Sequence, residues 1–152
     1  MNLKNIKAYN LFLITSIIIL LIGFYRSTDP NSSLDLNVHD TYFVMSNYHC
    51  TIILFSLYFL TGLLYWVFEK LPKKQLIKPL TILHTFIFIG SFVFYWIIIL
   101  YSNHLKSDPN FPLLNDGNQL INITLVNEFL LIFFIAIPVF IINLLIGLFK
   151  TN

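Results

Sequence analysis

The chain has 152 residues, 57% of them hydrophobic and only 11% charged, with a formal net charge of +2. Soluble domains carry roughly 25% charged residues, so this composition excludes an ordinary water-soluble globule and fits an integral membrane protein. The small positive balance resides in short lysine clusters between apolar runs, a membrane-topology bias and not a nucleic-acid footprint.

In chain order, the first uncharged run begins at Ala8, is closed by Arg26, and predicts a helix over 8–25. It is Leu, Ile and Phe nearly all round, so most of its sides are expected to touch lipid and no chemistry is assigned to it. Lys4 and Lys7 resemble the charged front of a signal peptide. The apolar part is too long for one, however, and "GFYRSTDP" offers no small-x-small cleavage site, so a retained helix is expected. The second run, without Lys, Arg, Asp or Glu from Thr41 to Phe68, predicts a helix over 42–68. The third, over 79–103, opens on Lys78-Pro79, a first-turn position where the missing proline amide is tolerated. The fourth, over 125–149, contains Asn143 and Pro138, which is expected to kink it. Each run reaches the roughly 18–20 residues that cross ~30 Å of hydrocarbon. The expectation is an all-α integral membrane protein: one domain over 1–152 with four transmembrane helices and no soluble part to carry separate chemistry.

Lysine placement sets the expected orientation. Lys4 and Lys7, then Lys70, Lys73, Lys74 and Lys78, and finally Lys150 mark both termini and the second loop as cytoplasmic. The other two loops hold Arg26 and Lys106 against Asp29, Asp35, Asp40, Asp108 and Asp116, and are expected to face outward. The single cysteine, Cys50, excludes an internal disulfide. Two Asn-x-Ser/Thr sequences, at Asn31 and Asn122, are read as chance matches in an Asn-rich chain.

Ionisable groups within membrane segments are the default candidates for function. On a helix over 42–68, His49 would lie roughly 10 Å into the membrane. There it could ligate iron or copper through one nitrogen while the other is held by an acceptor, or simply hydrogen-bond a neighbouring helix. His84 is expected at a different depth, so the two histidines should not share one metal atom, and a structural role is favoured for it. Glu128 is read as a carboxylate at the outer start of the fourth helix, or as a proton relay. His39-Asp40 is a pair of cation ligands that cannot fill a coordination sphere alone, or Asp40 caps the second helix.

The stretch "NSSLDLNVHDTYFVMSNYHC", Asn31 to Cys50, closely resembles the loop and tenth transmembrane helix of subunit I of heme-copper oxidases, the cytochrome c oxidase catalytic subunit. "SSLD" is Ser32 to Asp35 and "HDTYFV" is His39 to Val44. "LTGLLYW" is similar to the end of that helix, and "ILHTFIFIG" to the eleventh, with His84 at its histidine. The whole chain is thus similar to helices nine to twelve, the last third of subunit I.

The resemblance implies specific roles. Family helix-ten histidines at i and i+2 bind the high-spin and low-spin hemes. Asn47 replaces the first and His49 retains the second, which makes His49 a candidate heme ligand. His39 and Asp40 match an outer magnesium or manganese site completed by a second subunit. The copper ligands have no counterpart, since there is no His-Pro-Glu-Val-Tyr stretch and no His-His pair. Lys106 alone stands where the family has an arginine pair for heme propionates. Without copper and without the high-spin ligand the isolated chain is not expected to reduce oxygen. Two roles remain open for it in a bacterial plasma membrane. One is a respiratory-complex partner or assembly protein that binds oxidase subunits. The other is a heme-binding electron-transfer subunit whose second ligand comes from another chain or a homodimer mate.

Overall fold

The computed structural model describes residues 7–29, 33–38, 41–71, 75–102, 104 and 116–149. Four helical stretches in it are long and apolar enough to cross a membrane. Helix α1 is Ala8–Arg26, α2 is Asn47–Lys70 and α3 is Lys78–Ser102. The fourth stretch is continuous but compound: α4, Asp116–Leu131, passes through a π-helical turn, Ile132–Ala136, into α5, Ile137–Phe149. The π turn lies immediately before Pro138, whose missing N–H removes a bond to the carbonyl four residues back. The Ile137 N–H reaches five residues back to the Ile132 carbonyl. A π-helical turn thus stands before Pro138, where a kink was expected.

Several expectations need correction. The second helix does not begin at residue 42, and the fold is not purely helical. Strand β1, Ser33–Val38, pairs antiparallel with β2, Thr41–Ser46, in a register that runs from Ser33 with Ser46 to Val38 with Thr41. The segment Thr-Tyr-Phe-Val is rich in β-branched and aromatic residues, which favour extended backbone, and Ser46 starts the helix by capping it. Asp40 is accordingly not the cap of α2. His39 and Asp40 themselves lie outside the described residues, as do Asn31 and several of the orienting charges, among them Lys4, Lys73, Lys74, Lys106, Asp108 and Lys150. The fourth helix starts at Asp116, well before residue 125. Asn122-Ile123-Thr124 therefore lies inside α4, where the Thr124 hydroxyl donates to the Leu120 carbonyl at 2.8 Å.

The helices form two antiparallel pairs, α1 with α2 and α3 with the α4–α5 stretch. The pairing of α1 depends on a stripe that its all-round hydrophobicity conceals: Phe12, Thr15, Ser16, Ile19 and Gly23 are buried, at spacings of three and four that share one helix face. Small residues on such a stripe let membrane helices approach closely. A Cβ built on Gly23 would fall inside the Thr51 side chain of α2, with the Thr51 Cβ only 2.6 Å away. Gly62 is less tight, its nearest neighbour being the Phe12 Cβ at 3.1 Å. At the opposite end of the pair, Lys7 forms an ion pair with Glu69. The hydrogen bond to the Glu69 carboxylate, with charge attraction behind it, holds the Lys7 ammonium above the ordinary lysine range. With Glu69 ionised, the lysine's contribution is therefore complete below pH 10.5, the ordinary value, and fades as the pH rises through the raised one.

These glycine contacts predict an order of mutational cost. Gly23→Ala forces α1 away from α2 and should lower stability in detergent by about 1–3 kcal/mol, as overpacking does. Gly62→Ala should cost less. Gly90→Ala, where an added Cβ meets nothing within 4 Å, should be neutral or stabilising by up to about 1 kcal/mol through helix propensity. Denaturant unfolding followed by circular dichroism measures all three.

Candidate functional site

The most connected polar cluster is at the Lys7–Glu69 end of the bundle. Asn143, on α5 and fully buried, accepts the Ile77 backbone N–H at its Oδ1 (2.8 Å) and donates from Nδ2 to the Thr81 hydroxyl (2.9 Å). The Thr81 hydroxyl in turn donates to the Ile77 carbonyl at 3.2 Å. The Asn143 amide also faces the Tyr65 hydroxyl, which lies 2.9 Å from Nδ1 of His84. Four helices converge there. His84, 1% exposed, stacks on Phe12 of α1 and Phe140 of α5, with ring centroids 5.5 and 4.7 Å away, and packs against Phe88 one turn along α3. Higher in the bundle the Tyr58 hydroxyl donates to the Phe88 carbonyl at 2.7 Å, a second link from α2 to α3.

His84 is thus enclosed by aromatic rings and held through Nδ1. Asn143 lies in the fourth apolar run with no role assigned to it from sequence. Its role as a junction follows from the general cost of a carboxamide in an apolar span.

His49 lies elsewhere. It is the third residue of α2, not a residue well inside a longer helix, and its side chain is exposed. The Ser46 hydroxyl lies 2.6 Å from its Nδ1 and 3.5 Å from its backbone N–H. Ser46 thus caps the helix and orients the imidazole together. Two residues earlier, Asn47 is 8% exposed and faces inward; its carbonyl accepts the Thr51 hydroxyl at 2.6 Å, while its Nδ2 is buried without a hydrogen-bond partner among the described residues. His49 lines neither the cleft beside α3 nor the small cavity of about 260 Å³ beside Tyr48 and Thr51. Within one chain it offers an oriented nitrogen at the surface without a slot for a porphyrin. It is at the Gly23–Thr51 end of the α1–α2 pair, whereas His84 is at the Lys7–Glu69 end, so the structure does not bring them together.

Glu128 also changes place. It is in the interior of the Gln119–Phe149 span and not at a helix start, and its Oε1 is buried without a hydrogen-bond partner among the described residues. The Arg26 guanidinium faces the Tyr95 hydroxyl and lies 5.7 Å from the Trp96 ring. Among the described residues no group of three His, Cys, Asp or Glu side chains is placed to hold a metal ion. No protein-family model matches the chain, and no curated protein or solved structure matches it.

The cluster predicts unequal losses on mutation. Asn143→Leu strands the Ile77 N–H and should destabilise the bundle by about 1–3 kcal/mol. Tyr65→Phe removes the hydroxyl's contacts with His84 and Asn143 and should cost about 1 kcal/mol. Ser46→Ala should cost a similar amount through the lost cap. Unfolding free energies in one detergent, with α-helix content as the readout, test the ranking.

Proposed function

We propose that the chain is a non-catalytic relative of heme-copper oxidase subunit I that acts as a partner or assembly protein for respiratory-complex subunits. Its setting is a bacterial plasma membrane, with both termini and the segment joining α2 to α3 on the cytoplasmic side. The sequence support is the stretch from Asn31 to Cys50 described above, and the orientation rests on the lysine distribution.

The observation that carries the reading is the direction of the first turn of α2. Asn47, at the position of the family's oxygen-site heme ligand, is the residue turned into the bundle, and a carboxamide is a poor iron ligand. Beside it, Tyr42, Phe43, Val44 and Met45 of β2 and Tyr48 of α2 are all exposed. Exposed apolar and aromatic side chains on both faces of a strand, Tyr42 and Val44 on one and Phe43 and Met45 on the other, suit contact with another protein. Function on this reading is recognition by a surface, with no bond made or broken in the chain.

A second reading, a heme-binding electron-transfer subunit, is favoured by one contact. Ser46 fixes Nδ1 of His49, which orients Nε2 outward as a ligand nitrogen held by its outer partner would be. A two-fold mate could then supply the opposing imidazole. A magnesium or manganese ion at His39 and Asp40, completed by a partner chain, is compatible with either reading.

Affinity purification from the native membrane after crosslinking should recover oxidase subunits, and His49→Ala should leave that recovery unchanged. If crosslinking recovers no oxidase subunit, the partner reading fails. Reduced-minus-oxidised absorbance of the purified protein after heme supplementation separates the alternative: a Soret band lost in His49→Ala would support it. A fluorescent protein fused after Asn152 should fluoresce, and alkaline phosphatase fused there should be inactive, if the carboxyl terminus is cytoplasmic.

A further inference from the structure

We propose that the cleft between α3 and the Lys7–Glu69 end of the α1–α2 pair is a lateral binding site for one anionic phospholipid. It encloses about 1170 Å³, more than the roughly 300–1,000 Å³ of a site for a drug-sized molecule. The cleft exists because α2 and α3 meet through long tyrosine side chains and not through close backbone approach. Tyr58 and Tyr65 reach across to Phe88 and His84 and hold the two helices apart.

The α3 wall recurs at three- and four-residue spacing from Lys78 to Val93, one continuous helix face about 22 Å long at 1.5 Å per residue. Its chemistry is graded along that length. At the mouth are Lys7, Glu69, Gln75 and Lys78. Glu69 already neutralises Lys7, and Lys78 has no ion-pair partner among the described residues, which leaves the described mouth with one surplus positive charge. About 10 Å further along α3 is Thr85, whose Oγ1 is buried without a hydrogen-bond partner among the described residues. Thr51, Thr61, Thr81 and Thr124 all return their hydroxyls to the carbonyl four residues back. Thr85 does not, so its hydroxyl, closed to solvent in the cleft wall, is left as a donor without a partner among the described residues. Beyond it the lining is Phe86, Ile89, Gly90 and Val93, and at Gly90 an added Cβ would meet nothing within 4 Å.

Cation, unsatisfied hydroxyl and apolar channel thus follow one another along α3. An anionic phospholipid presents phosphate, ester carbonyl and acyl chain in the same order. Exposed Phe86 and Val93 leave the channel open sideways, the route by which a lipid enters from the bilayer. The surplus cation selects an anionic headgroup over a zwitterionic one. The inference does not depend on the oxidase reading.

Native mass spectrometry of the full chain released from detergent, titrated with phosphatidylglycerol or phosphatidylcholine, tests the site. The expected result is one phosphatidylglycerol retained at roughly tenfold higher affinity than phosphatidylcholine. Lys78→Glu should abolish that preference, while Lys70→Glu, the same charge change outside the cleft, should leave it in place. Thr85→Val should weaken both lipids several-fold, and Gly90→Phe should weaken both by obstructing the channel. Equal retention of the two lipids, or equal losses for Lys78→Glu and Lys70→Glu, would mean non-selective annular lipid and overturn the proposal. Displacement of the bound lipid by inorganic phosphate alone would also overturn it, in favour of a simple anion site. Circular dichroism of each variant separates lost binding from lost fold.

Discussion

The bundle depends on one buried amide. The first N–H groups of any helix lack intrahelical partners, and a part-buried one needs a side chain or water to take it. For the N–H of Ile77, just before α3, the partner is Oδ1 of Asn143, 66 residues later in the chain. The opposite end of the same amide goes to Thr81 and faces Tyr65, whose hydroxyl meets His84. One carboxamide thereby sets the register of α5 against α3 and of α3 against α2. Phe12 brings in α1 by stacking on His84. Each such hydrogen bond in a membrane is worth about 0.6 kcal/mol on average, up to about 1.7, so what the network contributes above all is a unique arrangement.

That junction also explains why the two ends of the molecule differ. Near Arg26 and Asn47 the α1–α2 pair closes tightly, with Gly23 against Thr51. At the Asn143 end the tyrosines act as spacers, and the space they leave beside α3 becomes the cleft. A polar network with long side chains cannot both satisfy its donors and draw the backbones together. The cleft is therefore a by-product of how α3 is started and anchored, which places its mouth next to Lys78.

Much of this was legible in the sequence. Charge-free runs located four spans, Pro138 marked the irregular turn in the last one, and the two histidines belonged at different depths. What was not legible follows from what an uncharged run measures. Absence of charge from Thr41 to Phe68 reports apolarity and not conformation, so the strand Thr41–Ser46 was absorbed into a helix. The capping role of Ser46 and the β-branched, aromatic stretch before it were the overlooked signals. Moving the helix start to Asn47 moved His49 from depth to the surface. Likewise, a helix apolar on all sides conceals its packing face, and only the small residues Thr15, Ser16 and Gly23, at helical spacing, mark it in α1. Glu128 was misplaced because polar residues from Asn115 to Asn127 look like loop, yet most of them are turns of α4.

The start of α2 also bears on which role the chain can play. Residues at i and i+2 on a helix are about 200° apart, so once Asn47 faces the bundle His49 must face away. An inward prosthetic group at residue 47 would need both a ligating atom and empty volume. The side chain is an amide, and the backbone of Gly23 is packed against Thr51 one turn along. The inward position is filled by helix–helix contact. What the resembling stretch presents to its surroundings is its outward side: the oriented imidazole of His49 and the exposed Tyr42–Met45 strand. A second molecule can reach both.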